Sequence, residues 1–267
     1  MSKIAKAFAD LAARGQKGFI PFVSAGDPDL ETSLAIVQKL AGLGATVIEL
    51  GVPFSDPVAD GPTIQRSSQR ALAAGTDLGK ILDMVGRLRQ TSNVPIVLFS
   101  YLNPLLRFGF DRLCERAESV GIDGVLITDV TGNEARSIGR TLHARGIDLI
   151  SLIAPTTSDE RLAEISESAR GFIYAVSRAG VTGARSDVSS DARSLVERAR
   201  KFTDLPIAVG FGISTAGQMA DVWEYADAAV VGSAIVSVIE SSAGTESPVD
   251  AVERLVRGLV PQIANQP

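Results

Sequence analysis

Cysteine and histidine are almost missing from this sequence: Cys114 is the one thiol and His143 the one imidazole among 267 residues. A single thiol closes no internal disulfide, and a single imidazole supplies neither a histidine-rich metal cage nor the second histidine of an H-E-x-x-H site. Zinc chemistry and cysteine–histidine nucleophilic catalysis are thereby set aside, and no metal is expected. Basic excess is also lacking. Lys plus Arg number 26 against 31 Asp plus Glu, a net charge of −5, which disfavours a nucleic-acid partner. Nowhere do about 18 uncharged apolar residues run together, and Lys3 and Lys6 near the start are not followed by an apolar targeting segment. No membrane association is expected, and the expected location is the cytoplasm.

What is present is a globular composition, 45% hydrophobic and 21% charged. Eight short apolar runs rich in Val and Ile recur: Phe19 to Val23, Thr46 to Leu50, Val94 to Phe99, Gly124 to Ile127, Leu149 to Ile153, Gly171 to Val176, Pro206 to Val209 and Ala228 to Val231. Between them lie stretches of helical spacing, such as Ile81, Leu82, Val85 and Leu88, so strand and helix alternate. Runs that are continuously apolar suit parallel strands covered on both faces. The count predicts a TIM (β/α)8 barrel; an open doubly wound sheet is the alternative. No linker divides the chain, so residues 1–267 read as one domain. Residues 2–14 read as an extra amphipathic helix closing the barrel bottom, with Ile4, Phe8 and Leu11 on one face. Glu240 to Pro248 reads as a surface loop before a last helix from about Val249 to Ile263.

Chemistry in a barrel belongs to the segments after the strands' C-terminal ends. Glycines gather after the late strands: Gly183, Gly212 and Gly232, the last followed by Ser233. Glycine lets backbone N–H groups approach an anion, and a helix opening at Gly232-Ser233 adds its dipole and a hydroxyl. Three consecutive loops of this kind point to a phosphate site, although any one of these glycines alone would pass for a turn. Carboxylates gather earlier. Glu49 sits inside an apolar strand, where a carboxyl is buried and its pKa raised, as general acid/base work requires; the alternative is a buried arginine partner. Asp56 and Asp60 lie in a proline-interrupted loop, where aspartates are usually structural.

Other candidates read as structural. His143 stands at a helix end, Cys114 as a small core residue, and Trp223 on the outer ring of helices. Arg178, Arg185 and Arg193 surround a loop rich in Gly, Ser and Thr that is either a lid or a solvated loop.

The stretch Ile48-Glu-Leu-Gly-Val-Pro-Phe-Ser-Asp-Pro-Val-Ala-Asp-Gly-Pro-Thr-Ile-Gln65 resembles the signature of the tryptophan synthase alpha subunit family. Pro21-Phe-Val-Ser-Ala-Gly-Asp-Pro28, Tyr101-Leu-Asn-Pro104 and Ser177-Arg-Ala-Gly-Val-Thr-Gly183 follow in that family's order and spacing. The resemblance implies a TIM barrel that cleaves indole-3-glycerol phosphate to indole and glyceraldehyde 3-phosphate by a retro-aldol reaction, without a cofactor. It implies Glu49 and Asp60 as the catalytic pair and Phe22, Phe99, Tyr174, Thr182 and Phe211 against the substrate. Gly183, Gly212, Gly232 and Ser233 would hold the phosphate, and the partner would be a tryptophan synthase beta subunit in an α2β2 tetramer. A free-standing indole-releasing lyase, another phosphate-binding barrel isomerase and a non-catalytic phosphate sensor are the alternatives. The segment Val130-Thr-Gly-Asn-Glu134 departs from the Val-Pro segment common in the family. Two loops, Pro53 to Gly61 with an exposed Phe54 and Ser177 to Ser190, are expected to form a lid that the partner closes.

Overall fold

The computed structural model describes residues 1–176, 188–210 and 212–260. Eight parallel strands, β1 (Gly18–Ser24), β2 (Ile48–Gly51), β3 (Ile96–Ser100), β4 (Gly124–Ile127), β5 (Asp148–Ile153), β6 (Ile173–Val176), β7 (Ile207–Gly210) and β8 (Ala228–Val231), close into a barrel in chain order. The ring shuts through Gly18 to Pro21 of β1 against Ala228 to Val231 of β8. The twelve helices among the described residues are α1 (Lys3–Ala13), α2 (Leu30–Gly42), α3 (Pro62–Ala73), α4 (Leu78–Leu88), α5 (Leu102–Phe108), α6 (Phe110–Val120), α7 (Gly132–His143), α8 (Asp159–Ser168), α9 (Val188–Ala199), α10 (Ala216–Trp223), α11 (Ser233–Ser242) and α12 (Pro248–Leu259). The (β/α)8 expectation holds, and the open sheet is excluded by the closed ring.

Two apolar layers hold it together. Between strands and helices lies the larger cluster, with Val23, Val37, Leu50, Leu82, Leu98, Val125, Val209 and Val231 among its members. Inside the ring Ile20, Val97, Leu126, Ile150, Phe172 and Val230 meet one another, joined by Ile4 and Phe8 of α1. The extra N-terminal helix therefore plugs the barrel bottom. Ser2 caps α1 by accepting from the Ala5 amide and donates its own hydroxyl to the buried Asp148 at 2.5 Å, and Lys3 reaches Asp123. Trp223 sits on the outer ring, its indole N–H donating to the Gly18 carbonyl at 2.9 Å.

Several strands start later than their apolar runs: those begun at Thr46 and Gly171 become strands at Ile48 and Ile173. The runs beginning at Val94 and Pro206 become strands only at Ile96 and Ile207. Pro95 and Pro206 have no N–H to donate and contribute only their carbonyls, to Ile48 and Ile173, so the ladder starts one residue later. The expected loop from Glu240 is corrected: α11 continues to Ser242 because Val236, Ile239 and Ser242 stay buried along one helical face. The last helix starts at Pro248, as its capping Ser247 dictates; its expected end at Ile263 lies outside the described residues.

Because Ile4 is fully buried within the interior cluster, Ile4→Ala should lower stability by about 2–5 kcal/mol. The urea denaturation midpoint measures this, and an unchanged midpoint would mean that α1 merely lies against the barrel.

Candidate active site

Glu49 enters the barrel as the second residue of β2, in register with Phe22 on β1 and Val97 on β3. It is fully buried, and neither carboxyl oxygen has a hydrogen-bond partner among the described residues. Among the described residues no arginine pairs with it. Burial alone pushes its pKa up to about 8, because an unpaired carboxylate in an apolar site forfeits its hydration. At neutral pH Glu49 is a carboxylic acid.

Aromatic side chains build the walls above it. The rings of Phe22 and Phe99 meet edge to face at 5.4 Å, and Phe99 meets Tyr174 at 6.4 Å. The Tyr174 phenol is raised well above its usual range, by burial first and by the nearby Glu49 second. Two glycines make room for these rings. A Cβ on Gly51 would strike the Phe22 ring, and one on Gly210 would strike the Tyr174 hydroxyl. Sequence reasoning passed over this role, although glycine at a strand's C-terminal end is a visible signal of close approach.

Asp60 comes from the loop between β2 and α3. Its amide donates to the Pro57 carbonyl at 3.0 Å, and Gln65 returns its side-chain N–H to the Asp60 carbonyl at 2.9 Å. Tyr101, at the end of β3, accepts the Ala59 amide at 2.8 Å and pins the loop to the barrel mouth. Burial raises Asp60 to about 6, while the Tyr101 hydroxyl beside it pulls the other way. Tyr101 itself is pushed up to about 12 by burial and by Asp60. The sequence singled out the Tyr101 motif but not this contact, which spans 42 positions that only the closed ring brings together.

The remaining candidates separate cleanly. Asp56 is exposed and accepts from Ser55. Phe54 does not stand exposed as expected: it is half-buried against the Tyr101 ring at 5.3 Å, and Val58, 82% exposed, is the apolar side chain the loop presents to solvent. Cys114 is buried in the outer core, and Arg193 pairs with Glu224 over the Tyr225 ring. His143 lines a cavity of about 490 Å³ between α7 and α8, remote from the acids and edged by Val130, Thr131 and Gly132 of the divergent segment. Asp129 anchors the start of α5 by accepting the Leu102 amide. Thr182, Gly183, Phe211, Arg178, Arg185 and most of the second lid loop lie outside the described residues.

Of the anion-binding candidates, the α11 N-terminus is open and that of α10 is closed. Gly232 caps α11 without a side-chain hydrogen bond, and Ser233 follows, exposed. Among the described residues no side chain caps the amides of its first turn, which a helix start leaves without intrahelical partners. At α10, Thr215 and Gln218 form a capping box, and Gln218 also accepts the Ser214 amide. Gly212 holds a left-handed φ of 79° in the turn before it.

Glu49 should make stability depend on pH. Unfolded, it ionises near the ordinary glutamate value; folded, it does so near 8. Between those values the unfolded chain has released a proton that the folded chain keeps, so stability falls as pH rises through that window and levels off above it. Glu49→Gln should therefore stabilise the protein by on the order of a few kcal/mol near pH 8 and hardly at all near pH 5. Equal gains at both pH values in chemical denaturation would show that Glu49 is not held neutral.

Comparison with known proteins agrees with this geometry. The tryptophan synthase alpha chain family matches residues 8–263. The tryptophan synthase alpha chain of Geobacter sulfurreducens is 49% identical over 92% of this chain and 93% of its own. That of Carboxydothermus hydrogenoformans is 44% identical over 96% of each. Among solved structures, tryptophan synthase subunit alpha from Legionella pneumophila superposes with a TM-score of 0.90 at 35% identity, covering 100% of both chains. Tryptophan synthase from M. tuberculosis, in its aminoacrylate-bound form, gives 0.86 at 31% identity over 97% of this chain and 98% of that one. With an acid buried in the mouth of a closed eight-stranded barrel and relatives of this identity and coverage, the chain belongs to the tryptophan synthase alpha chain family.

Proposed function

We propose that this barrel, acting as one domain in the cytoplasm, carries out its family's lyase reaction, cleaving indole-3-glycerol phosphate to indole and glyceraldehyde 3-phosphate, with Glu49 and Asp60 as the catalytic pair. The observation that carries the assignment is the pair of acids in unlike environments, one held neutral to about pH 8 and the other ionised above about 6. Glu49 donates its proton to indole C3, placing positive charge on the ring nitrogen. Asp60, as carboxylate, accepts the indole N–H and stabilises that charge. The Glu49 carboxylate then removes the hydroxyl proton from the adjacent glycerol carbon. The electrons of that O–H bond become the aldehyde π bond, the C3–C bond breaks, and its pair returns to the ring to restore neutral indole. Glu49 ends protonated, as it began.

Phe22, Phe99 and Tyr174 supply an apolar, aromatic wall for the indole, and Thr182 and Phe211 are assigned to the same pocket by resemblance. The phosphate is assigned to the open N-terminus of α11 at Gly232 and Ser233, with Gly212 and Gly183 completing its cradle. The partner is a beta subunit in an α2β2 assembly. Supporting it, Val58 and Leu106, on the segments after β2 and β3, leave 82% and 56% of their surfaces exposed at the barrel mouth, apolar area that a partner would cover.

Glu49→Gln should lower kcat by on the order of 10²-fold or more, and Asp60→Asn by a comparable factor, with substrate binding retained. In the wild type, kcat/KM should rise as pH passes about 6, where Asp60 ionises, and fall above about 8, where Glu49 loses its proton. Indole release from the purified chain, with and without beta subunit, is the assay. Normal turnover in either variant would remove that residue from the mechanism.

Gly232→Asp tests the phosphate assignment. A Cβ there reaches only ordinary contact with Phe22, at 3.5 Å, so the fold should survive while affinity for glycerol 3-phosphate collapses. Unchanged affinity in the folded variant would move the phosphate elsewhere.

A further inference from the structure

α3, which follows the Asp60 loop directly, is held in a way unlike its neighbours. α2 buries Leu34, Ile36, Val37 and Leu40, and α4 buries Leu78, Ile81, Leu82, Met84, Val85 and Leu88. The buried residues of α3 are Ser67, Ser68 and Ala71. A helix with one small apolar anchor can slide, because apolar contact is non-directional. Directional bonds must set its place, and they converge on Arg70.

Arg70 donates through Nε and Nη2 to the two carboxylate oxygens of Asp27, both at 2.8 Å, and through Nη1 to Glu240 at 2.7 Å. Asp27 is fully buried on the turn after β1. Glu240 lies near the far end of α11, about two turns beyond Ser233. Arg66, one turn before Arg70, forks onto the same Glu240 carboxylate with two bonds of 2.8 Å. These bonds, Arg66's foremost, hold the Glu240 carboxyl down at about 2, so the clamp stays charged across the pH range in which Glu49 and Asp60 titrate. Ser67 adds a buried hydroxyl contact to Ser24 at the end of β1, at 2.5 Å. A bidentate guanidinium fixes orientation as well as distance.

We propose that Arg70 is a positioning residue: by bridging Asp27 and Glu240 it locks the helix behind Asp60 to the helix whose N-terminus takes the phosphate, coupling phosphate binding to the placement of Asp60. This rests on the assignment of Asp60 and of the α11 phosphate site made above. Anchoring the phosphate draws on α11, α11 is clamped to α3, and the first turn of α3 sets where the loop delivers its carboxylate.

The full chain carrying Arg70→Gln, Arg70→Lys or Glu240→Gln tests this, with kcat, KM, glycerol 3-phosphate affinity and Tm measured for each. Arg70→Gln should lower kcat by about 10- to 100-fold, the scale of a small misplacement of a catalytic group, and weaken the analogue in parallel. Arg70→Lys keeps the charge but not the fork, and should recover Tm more than kcat. Glu240→Gln spares the buried Asp27 pair, so it should fold and show both losses in milder form. If Arg70→Gln, or Glu240→Gln where the former does not fold, keeps kcat and analogue affinity within about twofold of wild type and loses only Tm, the bridge is structural and the proposal is wrong. Asp60→Asn in the same assay separates the two ideas: an inactive Asp60→Asn beside an unaffected Arg70→Gln overturns the coupling alone, whereas normal cleavage by Asp60→Asn overturns the site on which it rests.

Discussion

A carboxyl group with no partner, enclosed by a ring of strands that is itself enclosed by helices, is the condition to which the rest of this structure answers. Glu49 is fully buried on β2, with neither oxygen bonded among the described residues. Its neutral form is tolerable there and its ionised form is not, so the surroundings must be apolar enough to keep the proton on and open enough to let a reactant reach it. The rings of Phe22, Phe99 and Tyr174 meet both demands, being broad and apolar. Those rings in turn need Gly51 and Gly210, where any side chain would occupy the same space as Phe22 or Tyr174. The lower end carries none of this burden: Ile4 and Phe8 of α1 fill it with ordinary apolar packing, Phe8 against Phe172 at 5.7 Å.

The second acid shows why one fold needs two solutions. Asp60 stands on a loop, less enclosed than Glu49, with the Tyr101 hydroxyl beside it, and burial raises it only to about 6. Strand and loop thus impose different surroundings on chemically similar groups, one raised to about 8 and the other to about 6. The two late helix starts differ as well. Gly232 caps α11 without a side-chain hydrogen bond, whereas at α10 the Thr215–Gln218 box takes up the Gln218 and Thr215 amides; capping thus sets the two helix ends apart.

How much of this was legible in the sequence follows from the range of each interaction. The strands were legible because burial on both faces leaves unbroken apolar runs; their limits were less so, at Pro95 and Pro206, which cannot donate, and at Thr46 and Gly171, which precede strands that begin at Ile48 and Ile173. Glu49 was legible because a charge inside such a run has few explanations. Asp60 was not distinguishable from Asp56 by spacing, since both sit among prolines in one loop; the difference is Tyr101, which the ring places beside one and not the other. Phe54 was misread for the same reason, its exposure being decided by that distant ring. Arg70 gave no signal at all, because its partners Asp27 and Glu240 lie far away along the chain in opposite directions, and a helical arginine without them is indistinguishable from a solvated one.

The divergent segment Val130 to Glu134 shows the converse of that dependence on distance. Thr131 opens α7 without a side-chain cap, and Gly132 takes a left-handed φ of 63° with the Arg161 guanidinium near the place of its absent side chain. These changes border the cavity between α7 and α8, and Asp129, which joins β4 to the mouth, accepts the Leu102 amide. A barrel separates its outer helical layer from its interior by a full thickness of strands. The segment follows the C-terminal end of β4, on the face where a barrel keeps its chemistry, but Glu49 has its register neighbours on β1 and β3 and the Asp60 loop is pinned by Tyr101, so neither acid is held by a residue of the divergent stretch.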